Sequence, residues 1–131
     1  MLVFVAKKDA VAEGARFIEL KKLKEYAPPY AGMIEGFMQG VQAGGKSGSW
    51  CERQAYLALG FALAAAAEHR IATCPMEGFD GAAVGKLVGV NADVEEVTVI
   101  LAVGRYPETE AAYTGGYPQW RHDKAALIQD V

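Results

Sequence analysis

The chain has 131 residues, 52% of them hydrophobic and 22% charged, with a formal net charge of −3. That composition belongs to a globular domain rather than a disordered segment, and its length suffices for one domain (residues 1–131) with a real core. The acidic balance argues against a nucleic-acid partner, which would select a basic face.

Met1 opens directly onto LVFVA and then KKD, without the leader of a secretory signal. Cys51 and Cys74 have neither a CxxC spacing nor paired histidines, so a disulfide framework or zinc site is not expected. Two thiols in a reducing cytoplasm is the expectation.

Leu2 to Ala6 is a continuous apolar run rich in β-branched and aromatic residues, which predicts a buried strand. Asp9 is placed to cap a helix over Ala10 to Tyr26, with Pro28-Pro29 as its stop signal. Ala31 to Val41 has helical spacing weakened by Gly32, Gly36 and Gly40, and residues 42–48 are expected to form a loop. Ser49 and Glu52 read as a capping box opening the next helix. Between Arg53 and Glu68 that helix carries no charge. A helix so uniformly apolar must be covered on every face, by its own domain or by a partner subunit. It is too short for the roughly 20 residues that span a bilayer, so no membrane association is expected.

After this helix comes CPMEGFD, Cys74 to Asp80, expected as a turn. Asp80 is placed to cap a helix reaching about Leu87, with Gly89 to end it. VTVILAVG, within Val94 to Tyr106, is the clearest strand. The tail holds turn signals at Gly115-Gly116 and Pro118 and closes on a weakly amphipathic end, Ala125 to Val131. Helices between strands predict an α/β or α+β layer fold, a small sheet packed on the long apolar helix.

Two stretches carry chemistry by pattern. Residues Gly40 to Ser47 match the phosphate-cradling G-x-x-x-x-G-K-S, with Lys46 for terminal phosphates and Ser47 for magnesium. That reading requires a strand before the loop, and the glycine-interrupted GMIEGFMQ is not strand-like; a plain glycine loop is the better expectation. In CPMEGFD, Pro75 and Met76 offer a flat apolar surface, and Gly78 permits close approach of a ligand. Free N–H groups of the following helix would face the same way. By itself this is equally a tight loop with an N-cap. His69 and His122 lie among charged neighbours as surface histidines do, and Glu77 and Asp80 are more readily caps than acid–base catalysts.

Taken together and in order, these stretches resemble the FMN-dependent nitroreductase family. WCERQAYLALGFALAAAA resembles the family's W-x-x-x-Q-x-Y-x-x-x-G helix, and CPMEGFD its P-[MI]-E-G-F-D turn. VTVILAVGRYPE resembles its strand ending in a G-[YH] step, and YAGMIEGFM a segment upstream of the helix in one branch. The resemblance implies a homodimeric α+β fold, three-layered α/β/α, with FMN in a cleft between subunits. It implies NAD(P)H as hydride donor and a nitroaromatic, quinone or similar small molecule as acceptor, in a ping-pong cycle. Pro75 and Met76 would lie against the isoalloxazine, and the N–H groups of Glu77 and Gly78 would face N5 and O4. Arg121 matches the arginine near the FMN phosphate, with Gln119 where a lysine is usual. Phe37 would fall in a helical lid over the substrate. The family's opening R-x-S-x-R and S-x-x-N-x-Q-P-W motifs have no counterpart. The resemblance therefore implies a fold lacking its N-terminal third, with two outcomes: a flavin oxidoreductase, or a dimeric remnant without FMN.

Overall fold

A computed structural model describes residues 1–109 and 122–127. Its organising strand is the VTVILAVG segment, here β3 (Glu95–Gly104). β3 pairs antiparallel with β1 (Leu2–Lys7) on one side and β2 (Ala72–Met76) on the other, giving the order β1-β3-β2. Its apolar run is unbroken because the central strand is covered on both faces, and Val99, Ile100 and Leu101 are all buried.

One face of the sheet rests on α4 (Ser47–Glu68), through a cluster of Leu59 with Val99 and Leu101 that Phe4, Ala62 and Leu63 complete. Further toward its N-terminus, Cys51 and Ala55 of the same helix pack with Ala6, Ala10 and Met38. The buried positions Cys51, Ala55, Leu59 and Ala66 fall on one helical stripe. α5 (Gly81–Val88) packs on the opposite face, where Gly85 lies beside Val97. Val97 and Val99 point to opposite sides because the register slips between Phe4 and Val5: Phe4 pairs with Val99, Val5 with Val97. Thr98 is the extra residue of that bulge, and its buried hydroxyl has no hydrogen-bond partner among the described residues.

β1 forms as expected but is not a buried strand. Lying at the sheet edge, it buries only Ala6 and leaves Leu2 and Val5 exposed. Asp9 caps α1 (Ala10–Leu20), accepting from the N–H groups of Val11 at 2.9 Å and Ala12 at 3.2 Å. The helix does not continue to Tyr26. Lys22 turns into left-handed geometry at φ 49°, and a separate turn, α2 (Leu23–Tyr26), follows. The prolines also act differently from their reading as a stop: they occupy the first turn of α3 (Pro28–Ala43), where a missing N–H costs nothing.

α3 reaches Ala43, so only residues 44–46 separate it from α4. The capping box does not form. Helix α4 starts at Ser47, ahead of Ser49, and the Ser49 hydroxyl donates to the Lys46 carbonyl at 3.1 Å. Ser47 is committed elsewhere: its Oγ accepts from the Ala10 N–H at 2.7 Å, tying α4 to α1. Asp80 and Gly89 bound α5 as predicted, Asp80 accepting from the Ala83 N–H at 3.0 Å and Gly89 adopting φ 79°.

Candidate functional site

The CPMEGFD stretch is half strand. Cys74, Pro75 and Met76 belong to β2, in register with Ala102, Leu101 and Ile100. An edge strand tolerates Pro75, whose absent N–H removes no bond from the sheet interior. The turn is thus shorter than its motif, beginning at Glu77 and ending where Asp80 caps α5.

Within it, the Phe79 N–H donates to the Glu77 carbonyl at 2.8 Å. The N–H groups of Glu77 and Gly78 meet no acceptor among the described residues. A side chain built on Gly78 would meet nothing within 4 Å. Pro75, Met76, Glu77 and Gly78 are all solvent-exposed, Met76 at 39%. An apolar step at a fixed strand end therefore runs into two backbone donors that are free among the described residues. The positive end of the α5 dipole lies just beyond.

A further residue joins this group that sequence reasoning missed. The Tyr56 hydroxyl, from the middle of α4, donates to the Glu77 carboxylate. That bond, ahead of partial desolvation, raises the Tyr56 pKa above the ordinary tyrosine value. The W-x-x-x-Q-x-Y helix pattern contains Tyr56 but does not signal its partner, because a side-chain contact between separate elements leaves no spacing signal.

The other sequence-predicted residues are placed elsewhere. Phe37 of α3 packs edge-on against Trp50 of α4, with ring centroids 6.4 Å apart and planes at 69°, and is 55% exposed. No hydrogen bond or ring contact links it to Pro75–Gly78. Gln119 and Arg121 lie outside the described residues. Gly40 to Ser47 is not a phosphate loop: Gly40 to Ala43 are the last turn of α3, and a helix stands where a strand is required. Among the described residues no group of histidine, cysteine or carboxylate side chains is arranged to hold a metal. Nor, among them, is any helix long and apolar enough to cross a membrane.

The sequence profile of the nitroreductase family matches residues 5–105. The chain belongs to the nitroreductase family. No curated protein sequence matches it. Among solved structures, the Bacillus subtilis protein ydfN, described as a nitroreductase, superposes with a TM-score of 0.68 at 21% identity. That match covers 97% of this chain and 61% of ydfN, so the chain spans about three fifths of that protein's length. The mixed helix-and-sheet architecture is accordingly the nitroreductase fold.

Proposed function

We propose that this chain is an FMN-dependent oxidoreductase that passes electrons from NAD(P)H to nitroaromatic or quinone-like acceptors by a ping-pong cycle. The observation that carries this reading is the end of β2: an exposed apolar step, Pro75–Met76, followed by the N–H groups of Glu77 and Gly78, unpaired among the described residues, and the open face of Gly78. These features fit a flat heteroaromatic ring with acceptor atoms on one edge. Pro75 and Met76 would pack on its face; the two N–H groups would donate to its edge. Gly78 allows that approach because it carries no Cβ. Hydride acceptance and onward electron transfer are chemistry that FMN itself supplies when bound. The protein's part is to hold the ring, present the two donors and keep one face accessible. Arg121 is assigned to the FMN phosphate, with the neutral Gln119 in the sequence position where a lysine is usual, and Phe37 to the substrate side.

The same reading makes the protein a homodimer. One stripe of α4 is covered by its own sheet, but Leu57 is 59% exposed and Phe61 77% exposed on the other side. Ala58, Gly60 and Ala64, also exposed, would let a second backbone come close. A partner there would cover the apolar surface and bring a second wall to the exposed turn. Free Cys51 and Cys74 suit a cytoplasmic setting.

The test is steady-state reduction of a nitroaromatic and of a quinone by protein loaded with FMN, at varied NADH or NADPH. Parallel double-reciprocal lines are expected. Colourless protein that takes up no added FMN and oxidises neither nicotinamide would establish instead a dimeric module of the same fold without flavin.

A further inference from the structure

We infer that Tyr56 is a positioning residue, which fixes the direction of the two backbone donors at Glu77 and Gly78 by holding the Glu77 carboxylate against α4; this rests on the FMN reading above. Met76 is the last residue of β2 paired with β3, and Asp80 is the next fixed point, as the cap of α5. Between them the backbone is held internally only by the Phe79 N–H to Glu77 carbonyl bond among the described residues. Gly78 lies inside that span, with no side chain and open space around its Cα. Glycine has the widest backbone freedom, so the peptide planes on either side of Gly78 are the least restrained part of the site.

The one tether that reaches this span from another element is the Tyr56 hydroxyl donating to the Glu77 carboxylate, among the described residues. Its other end is firm. Tyr56 follows the buried Ala55 on α4, and Leu59, less than a turn further, is packed against Val99 and Leu101. The contact therefore connects the sheet-anchored helix directly to the residue whose N–H is unpaired among the described residues. A phenol is well suited to this. It is rigid beyond two torsions, and its bond to a carboxylate is a charge-assisted one. Tyr56 would not touch the reacting atoms; it sets the aim of groups that do.

A purely structural role would predict that losing the hydroxyl changes stability and nothing else. The positioning role predicts a local change at the turn. The experiment compares wild type with Tyr56→Phe, Glu77→Gln, Glu77→Ala and the double variant Tyr56→Phe/Glu77→Ala. Amide hydrogen exchange of Phe79 is followed without flavin, and the FMN dissociation constant by quenching of flavin fluorescence. Tyr56→Phe is expected to speed exchange of the Phe79 N–H, which the Glu77 carbonyl holds, while leaving α4 and β3 protected. It should also weaken FMN roughly tenfold, the size of effect when one ordering hydrogen bond is removed. Glu77→Gln, whose amide oxygen still accepts from the phenol but without charge assistance, should fall between wild type and Tyr56→Phe. Glu77→Ala should match Tyr56→Phe, and the double variant should be no worse than either, because all three break one contact. Two independent routes to the same loss keep the test valid should one variant fold poorly.

Wild-type affinity and exchange in Tyr56→Phe would overturn the positioning role and leave the flavin reading standing. Additive losses in the double variant would overturn it as well. Wild-type protein that takes up no FMN would instead bring down the flavin reading, and this inference with it.

Discussion

Cys51 lies in the core cluster with Ala6, Ala10 and Met38. Burial there, reinforced by the carboxylates of Glu13, Asp9, Glu96 and Glu52, raises its thiol pKa above the ordinary value. Cys74, on the edge strand, is exposed. Thiolate is the reactive species, so a maleimide at neutral pH should label Cys74 rapidly and Cys51 only on unfolding. Mass spectrometry of the labelled peptides measures the two rates; equal rates would contradict the packing around Cys51. Gly14 makes a second prediction. A Cβ placed there would sit 2.6 Å from Cγ of the buried Met38, closer than α1 and α3 can accommodate without shifting. Gly14→Ala should therefore lower stability by about 1–3 kcal/mol, as over-packed cores do, seen as a lower urea midpoint at unchanged slope. Neither neighbourhood is visible in the sequence, because Met38 reaches Gly14, and Ala6 reaches Cys51, only through the fold. Tyr56 and Glu77 are the same case at the candidate site: both letters stood in recognisable motifs, but nothing in those motifs joined them.

Elements were legible where their signals are local. Asp9, Asp80 and Gly89 cap their helices as expected because a cap depends on residues within one turn of it. The β3 run was equally plain, since a strand covered on both faces needs no alternation. Boundaries set by tertiary contacts were not legible. Helix α4 starts at Ser47 rather than at a capping box on Ser49, with the Ser47 hydroxyl engaged by a backbone donor of α1. β2 was hidden because Pro75 and Gly78 read together as turn residues, although the proline sits harmlessly on a sheet edge. β1 and β3 are joined at their far ends by Lys7, which donates to the Glu95 carboxylate. That bond, with one from the Asn91 N–H, holds the Glu95 pKa below the usual glutamate range. A depressed carboxylate pKa stabilises the fold above the unfolded-state value, and that contribution disappears as pH falls through the folded one. Glu95→Gln should thus narrow the stability difference between neutral and acid pH, measured by urea unfolding at both. An unchanged difference would show that this half-buried pair contributes nothing.

At the scale of the whole molecule, α4 separates two roles that its uniform apolarity had merged. Leu59 is 6% exposed and faces the chain's own sheet, so a charge there tests folding rather than association. Leu59→Glu should give insoluble or unfolded protein, an unpaired buried charge costing several kcal/mol. Phe61, at 77% exposure, faces away from the sheet cluster. Phe61→Glu should keep the helical circular dichroism of the parent and sediment as a monomer. A Phe61→Glu protein that remains dimeric would move the interface elsewhere on the surface. The turn at Glu77 and Gly78 is exposed in a single chain, so a ligand lying on it has one wall until a second surface closes over it. Binding of FMN at the end of β2 is tested most directly by a fluorescence titration of FMN with the purified protein. Saturable quenching at one FMN per chain, weakened when Gly78 is replaced by valine, is the predicted result; flavin fluorescence unchanged at excess protein would contradict it.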